Sequence, residues 1–207
     1  MRIGILDLKI NNLFSIHKVF EVCGYKTILV TKNLINQNID MLVLPGVGSF
    51  RHAMEIMNAK NINEEIINFS EKKSKFLYGI CLGMQLFFNE SEEFGNTKGL
   101  SLIKGKVKKF DKKLVGLVPN IGWNQVSVYN KITKKIDSID KKYFYFVHSY
   151  YCKPDNNNDI FLNTSYGDKN FKFCSAVIKN NIIGTQFHPE KSGNEGINFI
   201  KNFIKKL

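Results

Sequence analysis

The stretch FLYGICLGMQLFF at residues 76–88 decides the fold and the site that we predict for this chain. Its first five residues form a short apolar run typical of a buried strand, and the apolar residues after Cys81 favour a helix. Gly79 and Gly83 flank Cys81 in the Gly-x-nucleophile-x-Gly pattern of a tight strand-to-helix turn. A sulfur at a helix N-terminus is favoured as the thiolate, which makes Cys81 a candidate nucleophile. The alternative interpretation is a buried structural cysteine, which is common for free cysteines.

The composition is that of a globular protein whose positive charge is carried by lysine. The chain has 207 residues, of which 43% are hydrophobic, so we expect one domain spanning residues 1–207. Its formal net charge is +12, but Arg2 and Arg51 are the only arginines. A specific nucleic-acid reader more usually carries arginine, which binds bases and phosphates bidentately. We therefore expect no nucleic-acid partner and interpret the charge as solvated lysines that can attract a phosphorylated substrate or an acidic partner.

The cysteines and the N-terminus point to a reducing compartment. Cys23, Cys81, Cys152 and Cys174 lie far apart and show no metal-type pairing, which favours reduced thiols over a disulfide framework. The N-terminus enters a strand pattern at once, without the features of a signal peptide. No apolar run approaches the length of a membrane span. We therefore expect a cytoplasmic protein that does not associate with membranes.

Hydrophobic periodicity predicts an α/β fold, an open, mixed and mostly parallel sheet flanked by helices. In the N-terminal half, strands are predicted at residues 2–8, 25–30, 40–44 and 76–80, and helices at 13–22 and 53–72, with a candidate interruption of the second helix at 60–61. From Gly105 onward we expect an antiparallel β-rich section. Its strands are predicted at residues 106–110, 114–118, 124–129, 143–149, 160–166 and 173–178. A buried strand at 182–187 and a helix at 195–204 complete the predicted order.

Ligands on such sheets bind at the carboxyl ends of the strands, where the loops after Leu44 and Phe187 should join the Cys81 turn. A catalytic cysteine needs a base, and the base needs an orienting partner. His188 follows a predicted strand, and Glu190 can turn back onto its imidazole across Pro189. The alternative is a satisfied strand-end histidine followed by a surface glutamate. Of the other histidines, His148 ends a strand and is expected to line the site, whereas His17 and His52 are expected on helices without a catalytic role.

These residues resemble the Cys-His-Glu site of the class I, or triad, glutamine amidotransferases. Within that family, the motifs are similar to those of the glutaminase subunits of imidazole glycerol phosphate synthase, and the match runs from residue 3 to the C-terminal helix. The motifs in question are LPGVG at 44–48, ICLGMQ at 80–85, IGWN at 121–124, YFVHSY at 145–150 and FHPEKS at 187–192. Five motifs in the same order make a chance match implausible.

The resemblance implies hydrolysis of glutamine to glutamate and ammonia without a cofactor or a metal. Cys81 would attack the side-chain amide, His188 would move the protons and Glu190 would orient His188. The N–H groups of Leu82 and Val47 would form the oxyanion hole. The residues expected by similarity to bind the substrate L-glutamine are Gly48, Gln85, Glu93, Ser149 and Tyr150.

The same resemblance implies a partner, a synthase barrel subunit that would use the ammonia in L-histidine biosynthesis, with the two chains forming a heterodimer. The residues expected to face it are Asn12, Trp123, Asn124 and Lys191. One segment departs from the family pattern, because residues 8–12 read LKINN where Tyr-Gly-x-Gly-Asn is usual. That departure keeps open a paralogous glutaminase serving a sugar-modifying amidotransferase. A non-catalytic scaffold or binding module is a third alternative.

Overall fold

The computed structural model describes residues 1–9, 13–46, 48–130 and 139–204. Its strands are β1 (Arg2–Leu6), β2 (Lys26–Val30), β3 (Met41–Leu44), β4 (Phe76–Ile80), β5 (Glu90–Ser91), β6 (Thr97–Lys98), β7 (Gly105–Lys109), β8 (Asn120–Val128), β9 (Tyr143–His148), β10 (Tyr150–Pro154), β11 (Ile160–Tyr166), β12 (Phe171–Lys179) and β13 (Ile182–Thr185). Its α-helices are α1 (Leu13–Val22), α2 (Phe50–Ala59), α3 (Asn63–Ser70), α4 (Leu82–Gln85), α5 (Lys112–Val115) and α6 (Gly193–Phe199). Short 3-10 turns lie at Leu34–Gln37, Asn157–Asp159 and Pro189–Lys191, and a π-helical turn at Ile200–Ile204 follows α6.

The strands form one mixed, open sheet. Strands β2, β1, β3, β4 and β13 lie side by side in that order, and each neighbouring pair is parallel. Strand β12 then pairs antiparallel with β13, and the sheet continues through β10, β7, β5 and β6. Strand β11 pairs with β12 and β8, and β8 pairs with β9. The predicted fold class, a parallel unit followed by an antiparallel section, is confirmed.

Helices cover both faces of the parallel unit because its central strands are apolar on both sides. Along β3, Leu42 belongs to the core that α2 and α3 cover, and Val43 belongs to the core beneath α1 and α6. All four residues of β3 are buried. Such a run is expected for a parallel strand with a helical layer on each face. The parallel order also places the ends of β3, β4 and β13 at one edge, where the predicted site lies.

Several local predictions differ from the structure. Residues 114–118 were expected as a strand, but the Asp111 side chain accepts a hydrogen bond from the Lys113 N–H at 2.9 Å and starts the short helix α5 instead. The helix after Cys81 ends at Gln85, earlier than its apolar run. The short strands β5, β6 and β10 were not predicted. The predicted interruption at residues 60–61 is confirmed, since α2 ends at Ala59 and α3 begins at Asn63.

Within the described part of the chain, no helix has the length and hydrophobicity needed to cross a membrane.

Candidate active site

Cys81 occupies a strained turn between β4 and α4. Its φ of 53° and ψ of −106° lie in a region that non-glycine residues rarely adopt. A Cβ at Gly83 would overlap the carbonyl oxygen of Leu44, so the chain can pass β3 here only without a side chain. The Cys81 N–H donates to the Thr185 carbonyl at 2.7 Å, which ties the turn to the end of β13. The turn predicted from the flanking glycines is therefore present.

His188 and Glu190 form a buried pair beside this turn. Nδ1 of His188 lies 2.7 Å from Oε1 of Glu190, and their side chains are 2% and 4% exposed. Nε2 of His188 is also buried and has no hydrogen bond of ordinary geometry within the described residues. Burial acts to lower the pKa of His188, but Cys81 and Glu190 outweigh it and raise this pKa to about 10. Imidazolium is therefore the form that this pocket favours while Cys81 carries a negative charge.

Ser192 holds the loop that carries His188 and Glu190. Its hydroxyl accepts a hydrogen bond from the Tyr145 N–H at 3.0 Å and donates to the His188 carbonyl at 2.6 Å. The His188 N–H donates in turn to the Tyr145 carbonyl at 2.9 Å. Tyr145 on β9 thus forms hydrogen bonds with the residues at both ends of the turn, His188 and Ser192. The position of the imidazole therefore depends on a strand that is distant in the sequence.

A cavity of about 440 Å³ opens at this edge of the sheet, a volume typical of sites for small molecules. Most of the residues predicted for the site line it, whereas Glu190 lies behind His188. The lining residues are Gly46, Gly48, Cys81, Leu82, Gln85, Glu93, Pro119, Val147, His148, Ser149, Tyr150, His188 and Lys191. The cavity therefore joins the nucleophile candidate, its candidate base and the polar groups expected to bind the substrate.

The loop after β3 lies against the start of α4. As the first residue of α4, Leu82 has an N–H without a carbonyl partner inside its helix. A Cβ on Gly46 would overlap that Leu82 nitrogen, so the loop backbone and this amide are immediate neighbours. Val47, the other predicted oxyanion donor, lies outside the described residues. Glu93 steadies the loop, because its Oε2 accepts the Phe50 N–H at 2.6 Å.

Of the described residues predicted to face a partner, Lys191 lines the cavity, whereas Trp123 and Asn124 lie on β8. Trp123 is 53% exposed and its neighbour Asn124 is half-buried. The exposed Ile121 lies two residues before Trp123 on the same strand and extends the apolar surface. Asn12 lies outside the described residues.

Lys9, the new charge in the altered segment, is paired within the chain. Its Nζ lies 2.7 Å from Oδ2 of buried Asp7, and its N–H donates to Oδ1 at 2.8 Å. The hydrogen bond from Lys9 lowers the pKa of Asp7. Lys9 has a φ of 62°, a left-handed value that favours glycine, which is the residue usual at this position in the family pattern. Residues 10–12 lie outside the described part of the chain.

Sequence reasoning missed polar residues that the fold brings to the site. Gln186 is fully buried and contacts Cys81, and Asn120 is fully buried and contacts His148. Their only signal in the sequence is a polar side chain inside or beside a predicted strand. His148 lines the cavity as expected. His17 and His52 lie exposed on α1 and α2, away from it.

Comparison with known proteins gives one consistent family. The model of the class-I glutamine amidotransferase family matches residues 5–207. The chain is 43% identical over 201 residues to the imidazole glycerol phosphate synthase subunit HisH of Chlorobaculum tepidum, covering 97% of this chain and 98% of the relative. It is 42% identical over 208 residues to the protein of the same name from Methanocaldococcus jannaschii, covering 99% and 100%.

Solved structures agree with this at the level of the fold. A crystal structure of a glutamine amidotransferase superimposes with a TM-score of 0.75 at 15% identity, covering 99% of each chain. The structure of PurLQS from Thermotoga maritima gives a TM-score of 0.75 at 17% identity, covering 99% of this chain and 98% of the other. The family match over nearly the whole sequence and the full-length relatives lead to one conclusion: the chain belongs to the class-I glutamine amidotransferase family.

Proposed function

We propose that this chain is the glutaminase subunit of an imidazole glycerol phosphate synthase. It hydrolyses L-glutamine to glutamate and ammonia, and it passes the ammonia to a synthase barrel subunit for L-histidine biosynthesis. The observation that carries the proposal is the lining of one cavity by Cys81, on its strained turn, and His188, backed by buried Glu190. Full-length relatives named as HisH support the choice of acceptor. We propose that residues 1–207 act as one domain.

In the first half of the proposed reaction, the Cys81 thiolate attacks the side-chain amide carbon of glutamine. The carbonyl π pair moves to oxygen, and that oxyanion is bound by the Leu82 N–H and by Val47. His188 donates its proton to the amide nitrogen, the carbon–nitrogen bond breaks, and ammonia leaves a glutamyl thioester on Sγ. Glu190 keeps the imidazole oriented through Nδ1, so that Nε2 faces the reacting atoms.

The charge on Cys81 couples the two halves of the reaction. Cys81 is one of the groups that raise the pKa of His188, so this pKa falls when the thioester removes the sulfur's charge. The imidazole is then neutral and accepts a proton from the water that attacks the thioester carbon. Cys81 leaves as the thiolate, glutamate forms, and the imidazolium is restored. His188 can therefore serve as acid and then as base without moving.

Substrate binding is proposed for the polar residues of the cavity wall. Both N–H groups of the Gln85 amide are bound within the chain, by the Tyr150 carbonyl at 3.0 Å and by Oε1 of Gln186 at 3.2 Å. Gln85 therefore has its oxygen left to accept from the substrate's ammonium group. Glu93 offers a second acceptor, while Gly48, Ser149 and Tyr150 complete the wall around the amino-acid end.

The partner is proposed to dock over the mouth of this cavity. Exposed Trp123 and Ile121 supply an apolar surface, and Lys191 supplies a charge at the cavity itself. Asn12 and Asn124 are proposed for the same interface by similarity.

The alternative functions have less support. The altered segment at residues 8–12 is the argument for a sugar-modifying acceptor, but its new charge, Lys9, is paired with Asp7 within the chain, which weakens that argument. The buried His188–Glu190 pair disfavours a non-catalytic scaffold. Free cysteines fit the expected cytoplasmic setting.

Replacing Cys81 tests the proposed function directly. With the partner present, Cys81→Ser should lower glutamine turnover roughly a thousandfold or more, since loss of a triad member typically costs that much. A glutamine-like diazoketone should label Cys81 and no other cysteine. Cys23→Ser is the matched control and should keep full turnover, because half-buried Cys23 does not line the cavity. Near-normal turnover in Cys81→Ser would contradict the assignment. Co-purification with a sugar-modifying amidotransferase would replace the proposed acceptor.

A further inference from the structure

The side chain of Gln186 contacts the sulfur of Cys81. Gln186 is fully buried after β13, two residues before His188. Its Nε2 lies 3.5 Å from Sγ, within the range of hydrogen bonds to sulfur, and its Oε1 accepts from Nε2 of Gln85 at 3.2 Å. Its N–H donates to the Ser175 carbonyl at 2.9 Å, which fixes the backbone at this point. Hydrogen bonds therefore hold both the backbone of Gln186 and its side-chain amide.

The direction of this amide follows from its neighbours. A backbone carbonyl can only accept, so the Tyr150 carbonyl requires the NH₂ group of Gln85 on its side. The second hydrogen of that NH₂ group points to Oε1 of Gln186. The NH₂ group of Gln186 is then left facing Sγ of Cys81. Gln186 therefore donates to the sulfur.

The series of hydrogen bonds extends from Tyr150 to half-buried Asn124 in the middle of β8. The Tyr150 carbonyl also accepts from Nδ1 of His148 at 2.8 Å, which leaves Nε2 of that ring as an acceptor. Nδ2 of Asn120 donates to that Nε2 at 3.1 Å, and Asn124 donates to Oδ1 of Asn120 at 2.9 Å. Burial lowers the pKa of His148 to about 4, against the opposing effect of its bond to Tyr150, so the ring is neutral at pH 7. The donor and the acceptor of every hydrogen bond in this series are therefore assigned.

We propose that Gln186 is a further catalytic residue of this site, whose amide donates to the Cys81 thiolate, stabilises its charge and holds the sulfur for attack. Gln85 is the positioning residue that turns the amide toward the sulfur. This inference rests on the proposed glutaminase function. The titratable groups that interact with Cys81 include His188, on the loop after β13, and Cys152, on β10. Neither contact requires a glutamine at position 186, so the amide's role can be tested separately.

The test is the pH–rate profile of Cys81 alkylation by iodoacetamide, followed by mass spectrometry of the Cys81 peptide. Gln186→Leu removes the donor at similar volume, and Gln186→Glu keeps an acceptor for Gln85 but turns a carboxylate toward the sulfur. We expect the midpoint of the profile to move up by about one pH unit in Gln186→Leu and further in Gln186→Glu, as for a lost hydrogen bond to a charged group. With the partner present, kcat for glutamine should fall roughly tenfold to a hundredfold and KM should change little.

Ser175→Ala is the control, because Ser175 is buried on the neighbouring strand, and its side chain lies outside this hydrogen-bond chain. It should leave the alkylation profile unchanged. If either Gln186 variant folds with a native thermal melt and keeps the wild-type profile, the inference is overturned. Alkylation does not use glutamine, so a shifted profile in a chain without glutaminase activity would support the role of Gln186 and refute the proposed function.

Discussion

At the scale of single residues, the site depends on the coupling of His188 to its neighbours Cys81 and Glu190. His188 is buried, which by itself favours the neutral ring, yet its neighbours Cys81 and Glu190 raise its pKa to about 10. Glu190 also orients the ring, because its Oε1 binds Nδ1 of His188 and leaves Nε2 available for proton transfer. Oε2 of Glu190 is buried without a hydrogen-bond partner among the described residues, so the carboxylate depends on His188 for compensation.

Replacement of Glu190 should separate these effects. In Glu190→Gln, the pKa of His188 should fall, because one of the two groups that raise it loses its carboxylate. With the partner present, kcat should drop roughly a hundredfold or more, as when the orienting carboxylate of a triad is neutralised. NMR titration of the imidazole measures the first effect, and glutamine turnover measures the second. An unchanged His188 titration would contradict the assigned charge coupling. His52→Asn, on the exposed face of α2, should alter neither measurement.

The same pKa has a consequence for stability. Because the pKa of His188 is raised on folding from its ordinary value of 6.5 to about 10, the protonated ring stabilises the folded state. This contribution is fully present below about pH 6.5 and is lost as the pH rises through about 10. Urea denaturation between pH 6 and pH 10 should therefore show a larger loss of stability in the wild type than in Glu190→Gln. Parallel curves for the two proteins would contradict this expectation.

At the scale of elements, the site depends on the hydrogen bonds between β9 and the turn after β13. The 3-10 turn Pro189–Lys191 has three residues and is too short to hold His188 by itself. Ser192 and the backbone of Tyr145 supply hydrogen bonds on both sides of it. Ser192 is 1% exposed, so water cannot replace these bonds easily.

Ser192→Ala should remove the two hydrogen bonds that the Ser192 hydroxyl forms with Tyr145 and His188. The change leaves the Tyr145 N–H without its acceptor and the His188 carbonyl without its donor. These losses should lower the free energy of unfolding by about 1–3 kcal/mol. Urea denaturation measures the loss, and glutamine turnover should fall with it because His188 is less well placed. Ser165→Ala, on the exposed side of β11, is the matched control and should change stability by less than about 0.5 kcal/mol. Equal stabilities of the two variants would show that Ser192 does not anchor the turn.

At the scale of the whole molecule, the surface around the cavity is where we propose that a partner docks and receives the ammonia. Trp123 and Ile121 are exposed on β8, and a series of hydrogen bonds leads from Asn124 on the same strand through Asn120 and His148 toward Cys81. A partner docked on β8 therefore contacts one end of a directed polar network. We expect low glutaminase activity in the isolated chain and a rise on addition of the partner and its ligand.

Trp123→Ala should weaken partner binding roughly tenfold to a hundredfold, since exposed tryptophans often dominate interfaces. Alkylation of Cys81 in the isolated chain should stay unchanged, because Trp123 does not line the cavity. Leu29→Ala is the control, since Leu29 is 58% exposed on the edge strand β2. Calorimetric titration with the purified barrel subunit measures both variants. Equal affinities would place the interface elsewhere, and high turnover that the partner does not change would contradict the expected activation.

Much of the fold could be predicted from local patterns. Short apolar runs identified the parallel strands, and Gly79 and Gly83 identified the turn at Cys81, because these signals are local in the chain. The short helix α5 was mistaken for a strand because its apolar residues suit either structure, and the Asp111 cap decided the outcome. Strands β5 and β6 have two residues each and carry no periodic signal.

Residue type and spacing along the chain were enough to predict the α/β class, the nucleophile candidate Cys81 and the order of the motifs. Which polar groups meet depends on strand pairing and packing. Gln186 reaches Cys81 because β13 pairs with β4, and Ser192 reaches Tyr145 because β9 packs against the turn after β13. These partners are separated by 105 and 47 residues in the sequence, and burial makes their polar groups depend on one another for hydrogen bonds. Register and packing, which no single segment encodes, therefore set the environment of the nucleophile.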